Sequence, residues 1–239
     1  MNGLLQDVLE AHGGLSRWRQ FSTVSARILV GGGLWPLKGV HPDRESTTMT
    51  VSLHEQFASV APFGKRDWRT SFRPGRVAIE TTDGKTVSER LDPRRSFDGH
   101  QMNTPWDPLH RAYFNGYAMW TYLTTPFFMA MPGFEVSEIA PLDPEGACWR
   151  GLRVRFPHAI ASHCEEQDFY FGPNGLLRRH DYQVDVAGAF PVAQYVEAMV
   201  EAQGLMTPTR RRACVRGPDR VAVSDLLMES IDLGGHVFA

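Results

Sequence analysis

Lysine is almost missing from this sequence: of 25 basic side chains only Lys38, Lys65 and Lys85 are lysines, and the other 22 are arginines. A GC-rich genome accounts for most of such a bias. It still matters physically, because guanidinium forks hold carboxylates in a fixed geometry where ammonium groups do not. Excess charge of either sign is missing too. The 25 bases meet 27 acids, for a net charge of −2, so there is no general attraction to a polyanion, and with no recognised motif nucleic-acid binding is not expected. Cysteine is scarce: Cys148, Cys164 and Cys214 form no C-x-x-C pair, which argues against a disulfide framework or a zinc ribbon. No apolar run approaches the roughly 20 residues that span a bilayer, so no membrane span is expected. The start, MNGLLQDVLEAHGG, has no basic leader and carries Asp7 and Glu10 inside its apolar stretch. A signal peptide is therefore not expected, and the location is predicted to be cytoplasmic. There is no G-x-S-x-G, and Gly31-Gly32-Gly33 runs into Leu34-Trp35-Pro36 rather than a helix, so no phosphate cradle is expected.

What is present is an ordinary globular mixture, 42% apolar and 22% charged over 239 residues. No internal repeat and no long linker divides the chain, so one domain over 1–239 is expected. Leu4, Leu5, Val8 and Leu9 fall at helical spacing and Gly13-Gly14 stops them, predicting a short N-terminal helix. Strands are predicted at 23–30, 47–60, 67–72, 76–82 and 85–91, with hairpin signals at Pro74-Gly75 and Asp83-Gly84. From Trp106 to about Thr124 alternation stops and apolar residues cover nearly every helical direction, so this helix must be surrounded by protein. Thr104 or Asp107 is placed to cap it, and Pro126 limits its end. Strands resume at 134–139, 148–156, 165–171, 176–186, 192–200, 205–215 and 226–233, with turns at Pro173-Asn174-Gly175 and Gly217-Pro218-Asp219. The fold class is α+β: a large curved antiparallel half-barrel of about ten strands wrapped around a buried central helix.

The start Gly13-Gly14-Leu15-x-x-Trp18, the long meander and the enclosed helix resemble the half-barrel of the LolA/LolB/LppX lipoprotein-carrier class, in layout over most of the chain rather than by a diagnostic motif. That resemblance implies an acyl chain bound in the concavity and an exported protein, and the leaderless N-terminus departs from the second of these. The segments PWDPLHRAYFNGYAMWTYL and FYFGPNGLLRRHDYQVDV resemble a widespread bacterial family of unassigned function. A violacein-pathway enzyme is similar in layout, which implies that the scaffold can also host small-molecule chemistry.

Strand periodicity sorts the hairpin 165–186 into two faces. Glu165, Gln167, Phe169 and Phe171 share one with Leu176, Arg178, His180, Tyr182, Val184 and Val186. Glu166, Asp168, Tyr170, Arg179, Asp181, Gln183 and Asp185 share the other, which reads as solvated, with Arg153 and Arg155 available to pair with Glu166 or Asp168. A catalytic set is expected on the apolar face: His180 as acid or base, Glu165 and Gln167 beside it, and Tyr182 donating to a developing oxyanion. The bland alternative makes His180 a hydrogen-bonded core residue and leaves Glu165 in water at the strand mouth. Tyr113, Tyr117, Trp120 and Tyr122, with His110 and Phe169, are candidates to line a pocket for a flat or apolar ligand, against plain core filling. His158, His163 and Cys164 have ligand chemistry but no standard spacing, so no metal is expected. Arg210-Arg211-Arg212 alternates faces; a ligand carboxylate could use Arg211 or Arg212, the alternative being a solvated edge strand.

The function expected is a small-molecule enzyme using cofactor-free general acid–base chemistry, of isomerase, cyclase or dehydratase/hydratase type, on an apolar or aromatic metabolite in a sheet–helix cavity. The alternative is an intracellular carrier or binding protein for a lipid or other hydrophobic ligand. No cofactor is expected, the partner is a small hydrophobic or aromatic molecule, and the chain is expected as a monomer or homodimer.

Overall fold

Alternating burial builds the strands: Val24, Ala26 and Ile28 of one strand and Leu152 and Val154 of another face inward while their neighbours face out. The computed structural model describes residues 3–41 and 45–239. Its strands are β1 (Thr23–Gly31), β2 (Thr47–Ser52), β3 (Ala58–Ala61), β4 (Trp68–Arg73), β5 (Arg76–Thr81), β6 (Thr86–Leu91), β7 (Glu135–Leu142), β8 (Trp149–Arg155), β9 (Glu166–Phe171), β10 (Leu177–Val184), β11 (Phe190–Ala202), β12 (Leu205–Arg216) and β13 (Ala222–Phe238). All belong to one curved antiparallel sheet in the order β6-β5-β4-β3-β2-β1-β13-β12-β11-β10-β9-β8-β7. The last strand returns to pair with the first, Val24 opposite Phe238, so the chain's two ends meet mid-sheet and the edges are β6 and β7.

Thirteen strands replace the expected ten or so. One reason is local: the single strand expected over 47–60 breaks at Ser52–Phe57, where the indole N–H of Trp120 donates to both Ser52 O and Glu55 O at 2.9 Å. The helices are α1 (Gly3–Ala11), α2 (Leu15–Trp18), α3 (Leu34–Leu37) and α4 (Pro108–Thr124). In α1 the buried residues are Leu4, Leu5, Val8 and Leu9.

The start of α4 is a capping box: Asp107 accepts from His110 N at 2.8 Å, and His110 Nδ1 accepts from Asp107 N at 3.2 Å. Pro108 occupies the first turn, where its missing N–H costs nothing. Every residue from His110 to Thr124 is buried. The helix is nonetheless not central; it packs against β2 to β6 and touches the other half of the sheet chiefly through β12. Its approach to β4 depends on Gly116, where a Cβ would collide with Cγ and Cβ of Phe72. At the other end Pro126 has no N–H to offer Tyr122 O, which would otherwise accept from residue 126. Arg211 from β12 fills that vacancy, donating Nη2–H to Tyr122 O at 2.9 Å.

A bulge in β10 corrects the expected facing. Leu177 pairs with Phe171 but Arg179 with Tyr170, so Leu177 points inward and Arg178 is only half-buried, in place of the inward Leu176 and Arg178. From His180 on, alternation runs as the period requires.

Candidate functional site

Four strands and one helix bring a line of polar side chains into the interior. Gln167 on β9, His180 and Tyr182 on β10, Gln194 on β11 and Arg211 on β12 all project inward and are buried. They meet Tyr117 and Tyr122 of α4 and His163 of the loop before β9.

Donor chemistry fixes the directions at the arginine end of this line. Arg211 can only donate, so Gln194 presents Oε1 to its Nη1 at 2.7 Å, which leaves Gln194 Nε2 to donate to Tyr182 OH at 3.3 Å. Tyr182 OH is hydrogen-bonded to Tyr122 OH at 2.9 Å, and Tyr122 OH to His163 Nε2 at 2.8 Å. His163 Nδ1 meets Tyr117 OH at 3.3 Å, so the neutral ring donates to one tyrosine and accepts from the other. The same argument settles His180. Gln167 Nε2 donates to the carbonyl of Cys164 at 2.9 Å, so its Oε1 accepts from His180 Nε2–H at 2.7 Å. The His180 Nδ1 lone pair is buried and has no partner.

Burial keeps this network uncharged except at one end. Desolvation holds both His163 and His180 well below the ordinary histidine range, and the positive field of Arg211 adds to the effect at His180. Tyr117 and Tyr182 are pushed well above the usual phenol range for the same reason. His163 stacks on Tyr182 with centroids 4.1 Å apart, and His180 stacks on Phe169 at 4.1 Å. Arg211 is lowered to about 10 by burial and stays cationic, while Glu229 on β13 is raised to about 8.

The expected residues are therefore placed unequally. Gln167, His180, Tyr182 and Phe169 do come together. Glu165 does not: it precedes the first residue of β9, its side chain is half exposed, and it accepts from Arg155 at 2.6 Å. His110 is the helix cap rather than a pocket residue, with Nε2 turned to Ser96 O at 3.3 Å. Trp120 holds the β2–β3 bend and Tyr117 is sealed in the network. Tyr113 alone of the expected aromatics lines an opening. Gln194, Arg211 and Glu229 complete the interior set; the available signal was one polar residue recurring among inward-facing apolar ones, as Gln194 does between Val192 and Val196.

That opening is a pocket of about 330 Å3 whose lining mixes apolar groups, Pro74, Tyr113, Phe156, Pro157, Ile160 and Ala161, with polar ones, Arg94, His158, Ser162, Cys164, Asp185 and the expected site residue Glu165. Arg94 donates to Ser162 O at 2.7 Å and to Asp185 at 2.9 Å. Tyr113 packs edge-on against Tyr117 at 5.4 Å, so the pocket floor adjoins the outer end of the Tyr–His line. A larger groove of about 930 Å3 lies on the opposite face of the sheet. It is walled by ion pairs rather than apolar surface: Arg153 binds Asp168 at 2.8 Å, and Arg179 and Arg216 bind Asp181 at 2.5 and 3.0 Å. This outer face is not simply solvated, since Arg179 and Asp181 are both buried. Among the described residues no group of three or more His, Cys, Asp or Glu is arranged to hold a metal ion, and no helix is long and apolar enough to cross a membrane.

No protein-family model matches the sequence, and no curated protein matches it. Solved structures do. A LolA superfamily protein from Nitrosomonas europaea superposes with a TM-score of 0.53 at 13% identity, over 98% of this chain and 93% of that one. A DUF1329 family protein from Desulfovibrio piger gives 0.51 at 7% identity, over 98% and 91%. A domain from Vibrio parahaemolyticus with an inferred role in outer-membrane lipoprotein sorting gives 0.52 at 7% identity, over 98% and 90%. At such identities the likeness is one of architecture, and the open thirteen-stranded antiparallel sheet with its enclosed helix is a LolA-like fold.

Proposed function

We propose that this protein binds a hydrophobic or amphiphilic small molecule between α4 and the inner face of the sheet, as a binding protein or carrier. The observation that carries this reading is the pocket beside Tyr113. Its walls join apolar side chains (Tyr113, Phe156, Pro157, Ile160) to polar ones (Arg94, His158, Glu165, Asp185), as an amphiphile requires, its volume of about 330 Å3 is at the lower end of ligand-binding cavities, and its floor adjoins the buried Tyr117–His163 line. The LolA-like architecture supports the reading, because the carrier class the sequence resembles places acyl chains in this concavity.

Binding is favoured over acid–base turnover by how the imidazoles are used. Both nitrogens of His163 are committed to tyrosines, and His180 spends Nε2 on Gln167. Both rings are held neutral by burial. On this reading His180, Gln167 and Tyr182 are buried structural groups behind the pocket and take no part in chemistry.

The test is a titration with the neutral probe N-phenyl-1-naphthylamine, read by its fluorescence. Saturable binding that weakens at least about tenfold when Ala161→Trp fills the pocket is the expected result. Probe fluorescence that does not saturate, or that is indifferent to the filled pocket, would contradict it. His180→Gln is expected to leave the affinity within about twofold.

A further inference from the structure

We propose that the Arg94–Asp185 pair selects the head group of the bound amphiphile, and that the head it fits carries both charges, an anion for Arg94 and an ammonium for Asp185. The assignment rests on the binding reading above and narrows the ligand class to a zwitterionic amphiphile. The pocket beside Tyr113 offers hydrocarbon from Phe156, Pro157 and Ile160 and charge from Arg94, Asp185 and Glu165. Of these three charged groups, Glu165 is turned to Arg155, 2.6 Å away. Arg94 and Asp185 face each other at 2.9 Å, with their side chains 40% and 41% exposed. Both also line a neighbouring opening of about 510 Å3 beside Phe97, His100 and Val186. The pair is therefore a wall common to two openings, and a head group reaches it without any rearrangement of the interior.

The backbone holds each partner independently of the other. Arg94 lies on a short 3-10 turn, Pro93–Phe97, and its Nη1–H and Nη2–H donate to Ser162 O at 2.7 Å and His163 O at 3.5 Å. The backbone N–H of Asp185 donates to the same His163 O at 3.1 Å. None of these three bonds uses the contact between guanidinium and carboxylate, so the anchors remain when the pair opens to admit a ligand.

Conservation of charge then sets the head group. Among the described residues Arg94 pairs with no other carboxylate and Asp185 with no other cation. An anionic head that takes Arg94 strands Asp185, and a cationic head that takes Asp185 strands Arg94, each partly desolvated in the pocket wall. Leaving one charge of such a pair without a partner is unfavourable. A head that carries both charges exchanges one ion pair for two and leaves neither side chain over. Tyr113 and Phe156, in the same lining, add aromatic faces that attract an ammonium group.

The probes are dodecylphosphocholine, dodecyltrimethylammonium and dodecanoate, each kept below its critical micelle concentration and set to compete with N-phenyl-1-naphthylamine on the full chain. The phosphocholine is expected to compete about fivefold better than either singly charged probe, the scale of a half-exposed ion pair. Arg94→Gln should put the ammonium probe first, and Asp185→Asn should put the carboxylate first. The wild-type order decides alone where a variant fails to fold. Glycerophosphocholine, which has the head without the tail, should not compete; competition equal to that of dodecylphosphocholine would make the ligand a free zwitterion and overturn the amphiphile. A singly charged probe that matches or beats the phosphocholine in the wild type, or one order shared by wild type and both variants, would overturn the head-group assignment and leave the binding reading standing. Failure of N-phenyl-1-naphthylamine itself to bind saturably would defeat both.

Discussion

The two faces of the sheet use arginine in opposite ways. On the outer face Arg153, Arg179, Arg216 and Arg220 share Asp168 and Asp181, so each cation has a carboxylate. On the inner face Arg211 meets an amide oxygen and a peptide carbonyl. The outer cluster is closed and explains itself as structure: bidentate pairs fix the register of β8, β9, β10 and β12. The acid that acts on Arg211, the buried Glu229, forms no direct ion pair with it. The same side chain thus serves two kinds of structure, a closed lattice of ion pairs outside and a hydrogen-bonded line of mostly neutral groups inside.

The largest expected effect comes from unbalancing the outer face. Asp181→Ala strips the carboxylate from buried Arg179 and from Arg216, and should cost about 3–5 kcal/mol in urea denaturation. A loss under about 1 kcal/mol would mean that the pairing is incidental. Next in size is Gly116→Ala, which forces α4 off Phe72 and should cost about 1–3 kcal/mol. It acts on the inner face without touching any polar group.

The interior histidines give a pH signature. His12, His163 and His180 all titrate lower when folded than the ordinary 6.5, His12 at about 4. Between those limits the unfolded chain takes up protons that the native state refuses. Their stabilisation is complete above about pH 6.5 and is lost as pH falls below it, at about 1.4 kcal/mol per pH unit for each group. Thermal melts between about pH 7 and 4 would show the slope, and His12→Gln should remove one proton's share of it. Arg211→Met should cost about 1–3 kcal/mol, because it leaves the buried Gln194 Oε1 and Tyr122 O without their donor. A loss as large as that of Asp181→Ala would erase the distinction between the faces. Smallest of all, Glu165→Gln should cost less than about 1 kcal/mol, since its partner Arg155 and Glu165 itself are both half exposed.

Much of the scaffold is legible from local chemistry. Asp83-Gly84 and Pro173-Asn174-Gly175 mark their turns, and Gly175 adopts the left-handed conformation with φ 73 that such a turn requires. Asp107 announces the helix it caps. Period-two alternation places Gln167, Phe169, His180 and Tyr182 together, because from His180 onward nothing interrupts the strand. It misplaces Arg178, since a bulge of one residue leaves no mark in composition, and it misplaces Glu165, since alternation ends where β9 begins.

The remainder of the site depends on contacts far apart in the chain. Reading Arg210-Arg211-Arg212 as a solvated edge fails because β13 runs back to pair with both β1 and β12, which places β12 deep inside the sheet. Strand order is a property of the whole topology and no window of sequence contains it. The vacancy that Arg211 fills is written locally, in Pro126, but its occupant lies 89 positions from Tyr122. Local spacing shows His163 only as a residue without a metal pattern; its partners Tyr117 and Tyr122 come from a helix more than 40 positions away.

Native mass spectrometry of the purified full chain tests the central claim most directly. The account anticipates a retained small hydrophobic or amphiphilic molecule, released when the spray solution is made denaturing. A chain that carries no adduct and gains none after incubation with a long-chain carboxylic acid would contradict it.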